Sequence, residues 1–218
     1  MKISFFILWL VVLAVPAFAQ LSEQQVKDYE AALTTDPNDQ QALQQLGIYY
    51  HNRGGDGDKE AVEKSVGYLE HLAQLDSRNL IAMAYYGSAV TMQARDAWMP
   101  WNKMKYVSLG TGKLDKAVMI DSTNLRVRLV RAVNSTNLPA FLNRRMFALR
   151  DFAYLIARMN AGETPGLDRV QVFYFYGVAL AAEERRVEAR QMWEKAVAEN
   201  PAHPLSKRAA EQLKQPGS

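Results

Sequence analysis

The residue types that most often carry catalysis or metal binding are few in this chain, and their spacing favours neither role. The three histidines, His51, His71 and His203, lie far apart in the sequence, and we expect His71 on a solvated helix surface. The run Gly110-Thr111-Gly112-Lys113 ends like a phosphate-binding loop but lacks the first glycine at the required distance. The acidic residues form no recognisable pair. The sequence therefore predicts that the protein is not an enzyme and uses no cofactor or metal.

A stretch rich in aspartate and glycine, residues 54–58, comes nearest to a cation site. Asp56, Asp58 and Glu60 alternate as calcium ligands do, but the rest of the calcium-loop pattern is missing. We therefore expect a flexible turn between two helices here. The chain contains no cysteine, which excludes disulfides, thiol catalysis and cysteine-based zinc sites.

Two tryptophans are the first candidates for contact with a partner. Residues 96–106 read as an insertion that contains Trp98, Trp101 and Tyr106 together with two methionines and two lysines. This segment could form an exposed binding patch. It could also fold back and extend the core, and we favour this alternative slightly because aromatic side chains are usually buried.

A cluster of arginines is the second candidate. It falls within 25 residues of sequence, and the only acid next to it is Asp151. The cluster consists of Arg126, Arg128, Arg131, Arg144, Arg145 and Arg150. It could bind an acidic partner, anionic lipid headgroups or a cell-wall polymer. The favoured alternative is a solvated face of two helices, where the arginine stems cover apolar surface.

The elements that must position these residues are helices, and the clearest unit is Phe173–Pro201. Gly177 and Ala189 are small enough to let two helices approach closely, and Pro201 lies just past the second helix, where it cannot continue it. The residues at helical spacing that would fill the seam between the two helices are Phe173, Tyr176, Leu180, Trp193 and Ala196.

This spacing resembles the W-x2-L-G-x2-Y…A-x3-F…P pattern of the tetratricopeptide repeat (TPR) family. Weaker copies occur upstream, with Gly47 and Gly87 at the position of Gly177. Residues 22–37 resemble the second half of a repeat, and the unit that contains the arginines is looser. In that unit, residues 137–139 are expected to open a long helix that runs to about Met159.

The resemblance implies an all-α solenoid of antiparallel helix pairs, a TPR-like superhelix. We predict about four repeats with a leading half-repeat, and a polar helix over residues 205–213 that caps the stack. The repeat domain covers residues 20–213, and residues 214–218 form a C-terminal tail.

In this family the first helix of each pair lines a concave groove, which binds another protein or a peptide. Carried across by spacing, the groove positions are Gln41, Gln44, Ile48, His51, Asn52, Ala84, Ser88, Thr91, Arg126, Leu129, Gln171, Tyr174 and Val178. We add Arg131, Trp98 and Trp101 as candidate partner contacts. The paired lysines and asparagines that hold a terminal carboxylate in some members are not present as a set. An interaction scaffold is therefore the leading hypothesis.

The alternative hypothesis is a carrier of a small ligand or lipid. In that case Trp98, Trp101, Tyr106 and Tyr174 would enclose an apolar cavity. A formal net charge of only +3 argues against nucleic acid as the main partner.

The N-terminus has the pattern of a secretory signal peptide. Lys2 precedes an apolar run from Ile3 to Val15, and the small-residue triplet at 17–19 follows. We expect cleavage after Ala19, which would leave no transmembrane span. An uncleaved anchor is the alternative, although the apolar run is shorter than the roughly 20 residues that span a bilayer. Export without cysteine indicates a periplasmic or secreted protein of the bacterial cell envelope, with possible association with that envelope.

Overall fold

The computed structural model describes residues 21–164 and 166–215, and all regular secondary structure in these residues is helical. The predicted signal peptide, residues 1–19, lies outside the described residues. The α-helices are, in chain order, α1 (Glu23–Thr35), α2 (Gln40–Gly55), α3 (Lys59–Leu75), α4 (Leu80–Asp96), α5 (Pro100–Ile120), α6 (Leu125–Asn137), α7 (Arg145–Asn160), α8 (Arg169–Ala182), α9 (Arg186–Glu199) and α10 (Pro204–Leu213). Among them, none is both long and apolar enough to cross a membrane.

The helices pack as consecutive antiparallel pairs, α2 with α3, α4 with α5, α6 with α7 and α8 with α9. Helix α1 packs on α2 as a leading half-repeat, and α10 packs on α9 at the other end. The core is a series of apolar clusters, each shared by neighbouring helices. The predicted all-α solenoid is therefore confirmed.

A repeated polar turn connects one pair to the next. An aspartate follows the last residue of α1, α3 and α5. Its carboxylate accepts a hydrogen bond from the backbone amide two residues later, at 2.9, 3.0 and 2.9 Å for Asp36, Asp76 and Asp121. The N-cap side chain of each following helix accepts from the amide three residues later, at 3.0 to 3.1 Å, for Asp39, Asn79, Asn124 and Asp168. These bonds satisfy amides that a helix start leaves without partners, so each turn starts the next helix at a defined residue.

Small residues let the two helices of a pair approach closely, as the spacing predicted. A Cβ atom at Gly87 would lie 2.7 Å from the Gly110 carbonyl oxygen, and one at Gly47 would lie 2.6 Å from Leu69 Cδ2. In the last pair, a Cβ atom at Gly177 would overlap the indole of Trp193. Phe173, Leu180, Ala189, Trp193 and Ala196 are buried there, Tyr176 is half-buried, and Pro201 follows α9.

The predicted insertion at residues 96–106 is not a loop. Helix α5 begins at Pro100, a proline at the tolerated first helical position, and runs for 21 residues against 17 in α3. The extra residues therefore lengthen the start of α5, and only a short connection separates it from α4. Gly110 lies in the middle of this helix.

The prediction of one long helix that opens at residues 137–139 is wrong. A 3-10 turn, Ala140–Leu142, follows the proline, and α7 begins only at Arg145. Asn143 between them has a left-handed backbone, with φ of 54°. A right-handed helix cannot continue through that conformation, so the segment forms a separate bend.

Replacement of Gly110 by alanine should destabilise the solenoid. The added Cβ atom would meet Thr91 Cγ2 at 2.5 Å and the Thr91 backbone nitrogen at 2.9 Å. We expect the free energy of unfolding to fall by about 1–3 kcal/mol, since crowding of this size outweighs the helix propensity of alanine.

Gly112→Ala is the matched control, because it lies in the same helix and a Cβ atom there meets nothing within 4 Å. It should stabilise the protein by up to about 1 kcal/mol. Urea denaturation followed by circular dichroism measures both values. Equal stabilisation by the two substitutions would contradict the close approach of α4 and α5.

Candidate functional site

The concave side of the solenoid forms a groove with a volume of about 1130 Å³. The first helices α2, α4, α6 and α8 contribute to its lining, and so do the start of α5, the bend at 138–142 and the C-terminal helix α10. A groove bounded by rigid helices on several sides is a preformed concave surface, which is the usual shape of a ligand or peptide site.

Most of the predicted groove residues do line the groove. They are His51, Asn52, Ser88, Thr91, Arg126, Leu129, Gln171, Tyr174 and Val178. Four others do not. Gln41 is exposed and Ala84 is buried in the core, the Gln44 side chain accepts a hydrogen bond from Asn79 at 3.0 Å, and Ile48 packs against an apolar cluster. The part of these residues in partner binding stays a prediction.

The floor of the groove is a connected set of neutral polar side chains. His51 Nε2 lies 2.8 Å from Ser88 Oγ. Asn134 Nδ2 donates to Ser88 Oγ at 3.3 Å and also to Thr91 Oγ1. Asn134 is 6% exposed, and its Oδ1 has no hydrogen-bond partner in the described residues. A buried carbonyl oxygen without a donor is costly, and this one lies below the groove surface with almost no exposed area.

The floor is uncharged near neutral pH. Burial lowers the pKa of His51 from 6.5 to about 4, so the imidazole is neutral at pH 7. Its ring meets the Tyr85 ring edge-on, with 4.9 Å between centroids. Burial raises the pKa of the Tyr85 phenol, and the hydrogen bond and charge of Arg126 oppose that rise. Arg126 also lines the groove, and it is engaged with Tyr85.

Ser88 and His51 have the contact distance of a serine nucleophile and its base. His51 Nδ1 also lies 3.3 Å from Asn52 Oδ1. However, Ser88 is 3% exposed and lies inside α4, where helical hydrogen bonds use the backbone amides that would otherwise stabilise an oxyanion. The geometry is that of a hydrogen-bonded groove floor.

The walls of the groove are apolar and its rim is charged. Leu129, Val133 and Val178 line the walls. At the rim, Arg208 of α10 lies 3.8 Å from Asp56 in the turn after α2. Both side chains are exposed, so this pair contributes little to stability. Its position shows that the C-terminal helix faces the first helix pair across the groove.

Three of the six arginines, Arg128, Arg131 and Arg144, form neither an exposed patch nor a solvated face, whereas Arg150 is exposed. Contact of Arg131 with a partner stays a prediction, although its side chain is buried and paired. Arg131 is 7% and Asp151 0% exposed. Asp151 accepts from Arg131 Nε at 2.7 Å and from Arg128 Nη1 at 2.5 Å. Asp115 of α5 binds Arg144 at 2.7 Å and Arg131 at 3.3 Å. These residues form a largely buried ion cluster that joins α5, α6 and α7.

The preference for buried tryptophans is also wrong. Trp98 is 85% and Trp101 66% exposed. Tyr174 lines the groove, whereas Tyr106 lines a smaller pocket of about 220 Å³. The structure therefore does not bring these four aromatic residues together around one cavity, and the small-ligand carrier is not favoured.

The histidines do not come together. His71 Nε2 lies 3.0 Å from Asn38 Oδ1, and His203 caps α10 by accepting from the Leu205 amide at 3.1 Å. Only His51 and His203 line the groove. In the described part of the chain, no group of three or more histidines or acidic residues could hold a metal ion.

Several groove residues were missed in the sequence. Val133 and Asn137 continue the helical face of Arg126 and Leu129 at steps of four residues, so the helical period could have found them. Asn134 lies beside them. The bend at 138–142 and α10 could not be found in this way, because their place in the groove depends on how the solenoid curves.

Comparison with known proteins supports the fold. No family model and no curated protein matches the sequence. A solved structure of a thermophilic TPR protein from Thermus thermophilus matches with a TM-score of 0.70 and 19% sequence identity, covering 88% of this chain and 90% of that chain. The structure of MamA matches with a TM-score of 0.48 and 17% identity, over 86% and 90% of the two chains. The likeness to the Thermus protein shows that the chain has the TPR fold.

The buried ion cluster generates a stability prediction. Asp151→Ala would leave the Arg131 guanidinium buried without its main partner, so we expect the free energy of unfolding to fall by about 3–5 kcal/mol. Glu163→Ala is the control, because it removes an exposed pair with Arg158 and should cost less than about 1 kcal/mol. Denaturant titration compares the two. Similar small losses would argue against a structural part for the cluster.

His51 should make stability depend on pH. The unfolded chain binds a proton at His51 near pH 6.5, whereas the folded chain does so only near pH 4. The contribution of His51 is therefore complete above pH 6.5 and is lost as the pH falls towards 4, by an amount on the order of 3 kcal/mol.

His51→Gln should remove this part of the pH dependence. The measurement is the free energy of unfolding at pH 7 and pH 4.5 for the wild type, His51→Gln and the control His71→Gln. We expect the control to lose stability on acidification as the wild type does. If His51→Gln lost as much as the wild type, a low pKa for His51 would be ruled out.

Proposed function

We propose that this chain, which has the TPR fold, is a non-enzymatic scaffold that holds an extended segment of another protein in its groove. The observation that carries the proposal is the groove itself, whose volume of about 1130 Å³ is lined from α2 to α10. An extended segment would contact several helix pairs at once, whereas a smaller ligand would fill only part of the groove.

The chemistry of the groove supports a peptide segment. The polar side chains of His51, Ser88 and Thr91 line the groove, and an extended backbone presents amide N–H and carbonyl groups that need partners once water is removed. The apolar walls at Leu129, Val133 and Val178 suit apolar side chains of the same segment. A neutral floor with His51 at low pKa favours this kind of ligand over a highly charged one.

The proposal includes a place in the bacterial cell envelope. What supports it is the sequence of residues 1–19, with one lysine, an apolar run and a small-residue end. A partner in the periplasm, or outside the cell, would then be the natural ligand of the groove. Mass spectrometry of the protein from intact envelopes should find Gln20 as its first residue.

A photo-crosslinking residue at Gln171 tests the groove. Gln171 is half-buried in the groove, whereas Lys195 on α9 is exposed on the opposite side of its pair. In intact envelopes, the chain labelled at Gln171 should form a crosslink to one segment of one partner, identified by mass spectrometry. The chain labelled at Lys195 should not form this crosslink.

A groove-filling substitution completes the test. Val133→Trp places an indole in the groove and should lower the Gln171 crosslink by about tenfold or more, equivalent to at least about 1.4 kcal/mol of binding free energy. Val187→Trp is the control, because Val187 is 74% exposed on α9 and should leave the crosslink unchanged. A Gln171 crosslink that survives Val133→Trp would refute binding in the groove.

A further inference from the structure

The α4–α5 connection and the start of α5 carry an exposed apolar surface that lies mostly outside the groove. Trp98 is 85%, Trp101 66% and Met104 49% exposed. Lys103 and Lys105 are exposed among them. We call these five residues the tryptophan edge.

The two indoles have no structural task in the folded chain. In the part of the chain that the structure describes, neither Trp98 nor Trp101 makes a ring contact or a side-chain hydrogen bond. Trp193 offers the contrast, since it is 3% exposed and its Nε1 donates to the Tyr174 carbonyl at 3.3 Å. An indole combines a large apolar body with a polar N–H group, and it is stabilised where one end is apolar and the other is wet.

The charge within the tryptophan edge has one sign, and Glu63 and Asp96 line the pocket next to Asn102 and Tyr106. Residues 97–114 contain three lysines and no acidic residue. Lys103 and Lys105 form no salt bridge with any carboxylate in the described residues, and the acid just before the segment, Asp96, is held by Arg95 at 3.0 Å. The edge therefore presents apolar rings together with two lysines that form no ion pair in the described residues.

The connection between α6 and α7 extends this exposed apolar surface. The turns between the two helices of each pair lie on the same side of a solenoid. The α6–α7 connection carries Phe141, which is 73% exposed, and both Phe141 and Met104 line the groove. Protruding rings along an edge, with lysines between them, can enter a layer of lipid headgroups without a complementary partner surface.

We propose that the tryptophan edge binds the surface of an anionic lipid bilayer. The indoles would lie at the interface between headgroups and acyl chains, and Lys103 and Lys105 would meet lipid phosphates. Each lysine near such a surface contributes modestly, so binding is reversible and weakened by salt. This inference does not rest on the proposed peptide-binding function. It would place one mouth of the groove beside the membrane, because Lys103 and Met104 also line the groove.

Sedimentation with vesicles tests the proposal. The chain from residue 20 onward is used, because the apolar run before it would bind lipid by itself, and the core clusters of the fold lie between Val26 and Ala209. Circular dichroism confirms that this chain is folded. The two probes are vesicles of phosphatidylcholine alone and vesicles with phosphatidylglycerol as a third of the lipid. We expect binding to the anionic vesicles, with a blue shift of tryptophan emission, and at least tenfold weaker binding to phosphatidylcholine.

Variants assign the binding to the tryptophan edge. Trp98→Ser with Trp101→Ser should lower the affinity for anionic vesicles by tenfold or more. Lys103→Gln with Lys105→Gln should lower it and remove its salt dependence.

The control is Met119→Ser with Ile120→Ser, which removes exposed apolar side chains, 78% and 54% exposed, from the other end of α5. It should leave binding unchanged. The proposal is overturned if the chain does not bind anionic vesicles, binds both kinds of vesicle equally, or binds as well without the two tryptophans. Loss of binding in the control variant would overturn it too.

Discussion

The close approach of the two helices in each pair is the constraint on which the rest of the solenoid depends. It is tightest between α4 and α5, where Gly87 and Gly110 face each other and a Cβ atom on either would meet the other's carbonyl oxygen. Because backbone lies against backbone, the two helices cannot slide or separate without losing contacts along their length. Aspartate and asparagine caps then start the first helix of each pair at a fixed residue. Together these two features determine where the groove-facing side chains lie.

The third pair meets the same constraint by different means. Ala132 lies eight residues after its N-cap, as Gly47 and Gly87 do, so α6 and α7 lack the glycine contact. Asp151 and Arg131 fill the space between them as a buried ion pair. Buried charges give little net stability, but they tolerate no loss of a partner. The cluster therefore fixes the orientation of α6, the helix that carries Asn134 into the centre of the groove.

The features that the sequence predicted correctly depend on residues close together in the chain. The helix pairs, the glycine positions and most groove residues follow from the helical period and from small residues at fixed spacing. The pairing of Arg144 with Asp115 could not be predicted, because these residues lie on helices that only the fold brings together. The sequence indicated an insertion at residues 96–106 but not its conformation, since a longer helix and an added loop lengthen a repeat equally. Trp98 and Trp101 were expected to be buried because aromatic side chains usually are. Such an average does not determine the exposure of an individual residue.

The departures from the regular repeat lie on one side of the molecule and change its surface there. The added turns of α5 carry Met104 into the groove and leave Trp101 outside it. The bend before α7 brings Phe141 to the same groove. A regular stack of equal pairs would have neither feature, and its groove would be open at this side. Extra residues at helix ends change the surface of a solenoid without disturbing its core, because each pair contacts only its neighbours. The regular geometry of the core thus leaves the ends of the helices free to acquire new surfaces.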